Sequence, residues 1–135
     1  MHGLHHAALP VSDMVRSVAF YEDVVGLDVV GPDDPSATLE AASYVWLRAG
    51  PDSYLSLARR PAATPFAGGT DRVDGATVEP LDDPHVAFDV AAVERRLIAA
   101  RLDAADRSYR RSPSSLYFRD PDGNLLEVTT WDGPA

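Results

Sequence analysis

Two histidines and one glutamate stand where a repeat in the chain would bring them together. His6-Ala-Ala-Leu-Pro-Val11 reads against His85-Val-Ala-Phe-Asp-Val90, each with a His, a small residue two places on and apolar residues three and five places on, at an offset of 79 residues (85 minus 6). A second match runs at an offset of 71 (116 minus 45), where Val45-Trp-Leu-Arg48 falls on Leu116-Tyr-Phe-Arg119. In the same register Tyr54-Leu-Ser56-Leu57 falls on Leu125-Leu-Glu127-Val128. A duplication of this size brings equivalent strands face to face about a pseudo-twofold axis. His6 and His85 then converge, and Glu127 is placed to join them. Two imidazoles and one carboxylate hold a divalent metal ion with open coordination positions, which is a place for chemistry. His5 is the rival of His6, because a one-residue slip in a strand exchanges its faces.

The elements that must position these residues can be read along the chain. Leu4 to Val11 alternates and reads as a strand, and Ser12 or Asp13 then caps a helix carrying Met14, Val18, Tyr21 and Val25 and ending at Gly26. Leu27 to Val30 is a second strand, stopped by Gly31-Pro32. Ser43 to Arg48 and Ser53 to Ala58 form a hairpin around Ala49-Gly-Pro-Asp52. A Pro/Gly-rich connection covers 59–82, long enough to act as a lid through Phe66 and Gly68-Gly69, with an ordinary surface loop as the alternative. The order then repeats: strand His85 to Val90, helix Ala91 to Arg101, a weak strand Asp106 to Tyr109, and a hairpin of Ser114 to Arg119 and Asn124 to Thr130 around Asp120-Pro-Asp-Gly123. The expected architecture is therefore α+β. One domain, 1–135, holds two tandem β-α-β-β-β modules (1–58 and 83–135) that form a curved, partly open mixed barrel around a metal or ligand cavity, with the helices outside.

Alternation assigns the faces. Leu9 and Val11 oppose His6 and Ala8; Val86, Phe88 and Val90 oppose His85, Ala87 and Asp89; Leu126 and Val128 oppose Leu125, Glu127 and Thr129. The apolar faces suit the helices, and the faces with His6, His85 and Glu127 suit the cavity. Trp46, Tyr54, Ser56, Tyr117 and Arg119 share the inward parity and are the candidate substrate-binding residues. Arg48 shares it too. An arginine there could hold a carboxylate or phosphonate through a bidentate contact. No residue is singled out as the catalytic acid or base.

Composition narrows the function classes. All 12 basic residues are Arg, against 21 acidic ones, for a net charge of −9. Without a clustered basic surface, nucleic acid and acidic membrane surfaces are poor partners. The absence of Cys excludes disulfides, thiolate metal sites and cysteine nucleophiles. No leader-like segment opens the chain, and no stretch approaches the roughly 18 apolar residues of a membrane helix, so a cytoplasmic protein is expected.

These stretches resemble the vicinal oxygen chelate superfamily, which includes glyoxalase I, extradiol dioxygenases and the fosfomycin and bleomycin resistance proteins. The segments that carry the resemblance are Leu4-His-His6-Ala-Ala-Leu-Pro-Val-Ser-Asp13, Ser17-Val-Ala-Phe-Tyr21 with Gly26-Leu27, His85-Val-Ala-Phe88, and Leu116-Tyr-Phe-Arg-Asp120-Pro-Asp-Gly123-Asn-Leu-Leu-Glu127. They cover nearly the whole chain outside 59–82.

The resemblance implies metal ligands on the first, fourth, fifth and eighth strands. His6, His85 and Glu127 match three of these, and Ser56, a poor ligand, falls on the fourth. That departs from the glyoxalase I pattern and is similar to the three-ligand subset of dioxygenases and fosfomycin-modifying transferases. The potassium-binding loop of those transferases has no counterpart in Arg107-Ser-Tyr-Arg-Arg-Ser-Pro113, which argues against fosfomycin as the substrate. The implied function is a metal-dependent enzyme with one divalent ion per chain (Fe, Mn, Ni, Co or Zn). It would act on a small substrate with neighbouring oxygens, as an extradiol-type dioxygenase or a lyase. The alternatives are a non-catalytic, drug-binding protein similar to the bleomycin-sequestering members and a glyoxalase-like isomerase. A homodimer is also implied, its sites shared between subunits or held within one.

Overall fold

The computed structural model describes residues 1–60 and 78–131. The connection around Phe66 and Gly68-Gly69, read above as a lid or surface loop, lies outside them. The first module runs β1 (His6–Val11), α1 (Met14–Phe20), a π-helical turn (Tyr21–Val25), β2 (Asp28–Pro32), β3 (Tyr44–Gly50) and β4 (Ser53–Arg59). The second runs β5 (His85–Asp89), α2 (Ala92–Ala104), β6 (Tyr109–Arg111), β7 (Ser115–Arg119) and β8 (Leu125–Thr129). Each module makes one four-stranded mixed sheet, in the orders β1-β4-β3-β2 and β5-β8-β7-β6. In each, the first strand runs parallel to the last and the hairpins are antiparallel.

Local chemistry explains the boundaries. Asp13 caps α1 by accepting the Arg16 backbone N–H at 3.1 Å, satisfying a donor the helix would otherwise leave open. Gly26, at φ 88°, ends the π-helical turn in the left-handed region and returns its N–H to the Tyr21 carbonyl. The helix expected to be regular up to Gly26 thus widens over its last five residues. The weak strand expected at 106–109 forms later, at Tyr109–Arg111, because Asp106 sits at φ 55° and closes α2 instead.

The expected face assignments hold at the core. Leu9, Val11, Val45, Leu47, Leu55, Leu57, Leu116, Phe118, Leu126 and Val128 are all buried in one apolar cluster together with α1 and α2. The two curved sheets leave the expected barrel open: among the described residues, no strand of one sheet pairs with a strand of the other. The modules meet through their helix-covered sides, where the Phe20 and Phe118 rings lie 6.1 Å apart and Arg101 donates to the Val24 carbonyl at 3.4 Å. Alternation states which residues share a face but not which two apolar faces meet. Once these faces share a core, the faces carrying His6 and His85 point away from it.

Polar groups pin the same junction. The β7–β8 turn places Asp120 in the core, where its carboxylate accepts the Tyr21 hydroxyl at 2.7 Å, the Asp122 and Asn124 backbone N–H groups and the Asn124 side-chain amide. Asp122 accepts from the Ser12 N–H and hydroxyl, and Asn124 donates to the Pro10 carbonyl at 2.9 Å. The turn Asp120-Pro-Asp-Gly123, read from the sequence as a turn and no more, is therefore the anchor between modules. Gly123, at φ 88°, supplies the backbone conformation that closes it. Among the described residues, no helix is long and apolar enough to cross a membrane.

Candidate functional site

The register of the two sheets reproduces the repeat read from the sequence. His6 pairs with Tyr54, and Ala8 pairs with Ser56, which in turn faces Trp46. In the second module His85 pairs with Leu125, and Ala87 with Glu127, which faces Tyr117. His6 and His85, Ser56 and Glu127, and Trp46 and Tyr117 are thus pairwise equivalent.

In the second module the pattern gathers a polar cluster on the outward face. His85 Nε2 lies 3.0 Å from Glu127 Oε1, with the side chains 28% and 14% exposed. His85 Nδ1 lies 2.8 Å from the Asp83 carbonyl, which can only accept, so Nδ1 carries the proton. Nε2 faces a carboxylate oxygen, so a proton or a cation between the two would satisfy both. The Ser115 hydroxyl donates to the other oxygen of Glu127 at 2.5 Å and sits 2.9 Å from the Thr129 hydroxyl. The Tyr117 ring stands edge-on to His85 at 6.0 Å. Burial, and then the negative charge of Glu127, raise the Tyr117 pKa above the ordinary phenol value, so its hydroxyl is a donor at neutral pH.

The first module presents rings. His6 lies 4.9 Å from Trp46, edge to face, and Trp46 lies 6.3 Å from Tyr54 at 88°. The indole N–H of Trp46 donates to Asp33 at 3.2 Å. Ser56 is buried beneath them, 3% exposed. His5 precedes β1, so the pleat does not bind it to the opposite face; its ring joins the same group, 5.4 Å from Tyr54 and with Nδ1 2.9 Å from that of His6. Arg48 stays exposed, its guanidinium 5.0 Å from the centre of the Tyr54 ring. A cleft of about 510 Å³ runs from Leu4, His6 and Tyr54 to Val86, Ala87 and Asp89.

The structure thus joins His85, Glu127 and Tyr117 in one cluster, and His6, Trp46 and Tyr54 in another. It does not bring His6 onto the His85–Glu127 pair: among the described residues, no three of His, Asp and Glu come close enough to hold a metal ion. Arg119, expected to reach a substrate, is 1% exposed. It donates to the Val78, Gly123 and Pro80 carbonyls at 3.1, 2.8 and 3.3 Å and to the Asp83 carboxylate at 3.0 Å. It shares the face of Tyr117, but the segment just before β5 occupies the space into which it points. Asp83 and Ser115, which hold His85 and Glu127, went unread. Ser115 shares the parity of Tyr117 and was detectable, whereas Asp83 acts through its carbonyl, which leaves no signature in the sequence.

A protein with this fold, in which one strand of a β-α-β-β-β repeat supplies a histidine beside a glutamate on another, belongs to a known class. The Glyoxalase/Bleomycin resistance protein/Dioxygenase superfamily matches residues 3–128, and the chain belongs to it. It is 27% identical to a virulence protein of Salmonella typhimurium over 134 residues, 95% of this chain and 83% of that one. It is 26% identical to the glutathione transferase FosA of Serratia marcescens, over 95% of this chain and 80% of the relative. With the metallothiol transferase FosB of Shouchella clausii the identity is 28%, over 96% and 81%. Among solved structures, the fosfomycin resistance protein FosX of Mesorhizobium loti superposes with a TM-score of 0.68 at 20% identity, over 97% of this chain and 93% of that one. These structures share the fold.

Proposed function

We propose that the chain is a divalent-metal-dependent enzyme acting on a small substrate with neighbouring oxygens, in which His85 and Glu127 of one chain and His6 of a second copy are the metal ligands. The observation that carries this reading is the His85–Glu127 pair. A lone pair on Nε2 and a carboxylate oxygen 3.0 Å apart repel unless a cation or a proton lies between them. Both side chains carry the outer contacts that metal-binding side chains need: His85 Nδ1 lies 2.8 Å from the Asp83 carbonyl, and the Ser115 hydroxyl donates to Glu127. Two neutral imidazoles and one carboxylate fit Fe, Mn, Ni, Co or Zn. When bound, such an ion supplies Lewis-acid polarisation of substrate oxygens.

The second copy enters because the His6 cluster and the His85–Glu127 cluster each lie on an outward face. A homodimer that sets one outward face against the other would bring the three ligands together. The protein's own residues then do the rest. Trp46, Tyr54 and Ser56 wall one side of the substrate space, and Tyr117 offers a protonated hydroxyl to an anionic oxygen from the other.

Within this class the finer reading is extradiol-type dioxygenation or lyase chemistry. The names of the transferase relatives favour thiol addition as the second reading. The test is metal analysis of protein purified without a metal-affinity tag, beside His85→Ala and Glu127→Gln. Bound metal in the parent, lost in both variants, supports the site. Iron with O₂ uptake on catechols then favours the dioxygenase, and metal-dependent consumption of an added thiol favours the transferase. No metal after anaerobic reconstitution sinks the enzyme reading and leaves a ligand-sequestering protein.

A further inference from the structure

We propose that the far end of the first sheet is an anion site for a small phosphate monoester, separate from the metal-site reading above. β4 ends at Arg59, and Arg60 donates its backbone N–H to the Val11 carbonyl at 2.8 Å, so both arginines stand beside the turn from β1 into α1. Together with Ser12, Ser43 and Tyr44 they line a depression of about 480 Å³. Arg16 borders it, with Nη2 3.3 Å from the Ser12 hydroxyl. Only Arg59 and Arg60 adjoin in the sequence; the pairing of Val11 with Arg59 brings Ser12 and Arg16 to them. His6 begins β1 and Val11 ends it, so the length of the strand, about 17 Å, separates the depression from His6.

The charges there are unmatched. The chain carries 21 acidic residues against 12 arginines, so an arginine on its surface has carboxylates to find. Among the described residues, Arg59 and Arg60 find none. Arg59 donates from Nη2 to the Ala41 carbonyl at 3.3 Å, and Arg60 donates from Nη1 to the Arg59 carbonyl at 3.0 Å. Arg16 approaches Asp122 Oδ1 at 3.7 Å, but that oxygen already accepts the Ser12 N–H and hydroxyl. Each guanidinium thus keeps donors for a ligand, and three positive charges share one negative one. A guanidinium fork matches phosphate oxygens two at a time. The volume falls in the range of sites for small organic molecules, more than a bare phosphate fills. Tyr44 supplies the apolar part of the wall, 42% exposed and with the Arg60 guanidinium 5.9 Å from its ring centre. The phosphate therefore takes the arginines, and the organic part lies along Tyr44.

The test is titration of the full chain with phenyl phosphate at low ionic strength, followed by amide ¹H–¹⁵N spectra and calorimetry. The expected result is saturable binding with shifts at Ser43, Tyr44, Arg59 and Arg60, weakened by added NaCl. Arg59→Gln combined with Arg60→Gln should weaken it about tenfold. Both side chains are exposed, so the fold is retained, as circular dichroism would verify. Arg96→Gln combined with Arg111→Gln removes the same charge from exposed arginines elsewhere and should leave binding unchanged. Tyr44→Leu should lower the affinity for phenyl phosphate to that for inorganic phosphate. Three outcomes overturn the site: no saturable binding, equal weakening by the two arginine pairs, which means diffuse attraction, or loss of binding in His85→Ala, which puts the phosphate at the metal site. Inorganic phosphate binding to the parent as tightly as phenyl phosphate overturns the monoester.

Discussion

The Tyr21 hydroxyl and the Asp120 carboxylate meet at 2.7 Å between the two modules, and neither residue has any exposed surface. One comes from the π-helical turn of the first module and the other from the β7–β8 turn of the second. Their bond therefore holds together the two halves whose outward faces carry the candidate ligands.

This bond predicts an alkaline weakness. Burial, and then the charge of Asp120, raise the Tyr21 pKa well above 10.0. A group whose folded pKa is raised contributes stability that is fully present below its unfolded pKa and is lost as pH climbs toward the folded one. The parent should therefore lose stability above pH 10, by about 1.4 kcal/mol per pH unit from this group. Tyr21→Phe should cost about 2 kcal/mol at neutral pH, where a hydrogen bond to a carboxylate is lost. The gap between the two proteins should narrow as pH rises beyond 10. Urea melts across that range check it, and a gap that stays constant would refute the assignment.

Ser115→Ala separates ligand orientation from ligand identity. The hydroxyl bonds to Glu127 Oε2 and to the Thr129 hydroxyl, and Ser115 lies outside the apolar core cluster. We expect the thermal midpoint to shift little and divalent-metal affinity to fall about tenfold, the usual effect of losing an outer contact to a ligand. Unchanged affinity by calorimetry would mean that Glu127 is oriented by the strand alone.

Gly26→Ala tests the helix end. At φ 88° an alanine pays for the left-handed backbone, and its Cβ would sit 3.2 Å from Arg101 Nη1, the movable tip of a side chain. Backbone strain should dominate, at about 1–2 kcal/mol. Differential scanning calorimetry should show a midpoint lowered by about 4 °C.

The repeat was legible because it is written in side chains. His6 and His85, Ser56 and Glu127, and Trp46 and Tyr117 occupy the register positions that offsets of 79 and 71 predict, and period-two alternation separated the core faces from the faces carrying His6, His85 and Glu127. What stayed hidden depends on backbone and docking. Asp83 holds His85 through a carbonyl that any residue type carries. Arg119 shares the face of Tyr117, yet its role is decided by where residues 78–83 run. The docking of the modules through their apolar sides, which parts His6 from His85, follows from which hydrophobic surfaces find each other, and alternation within a strand does not encode that.

That parting yields a complementation prediction. If the site takes His6 from one copy and His85 with Glu127 from the other, His6→Ala and Glu127→Ala should each abolish metal binding alone. Unfolded together and refolded as a mixture, they should regain it. In a mixed dimer the His6→Ala chain still offers His85 and Glu127, and the Glu127→Ala chain still offers His6, so one of its two sites is intact. Random pairing makes half the dimers mixed, so the mixture should bind about a quarter as much metal per chain as the parent. A site built within one chain predicts no recovery, because each variant then carries its own defect into every pairing. Equilibrium dialysis of the refolded mixture against Co(II) distinguishes the two arrangements without any knowledge of the substrate.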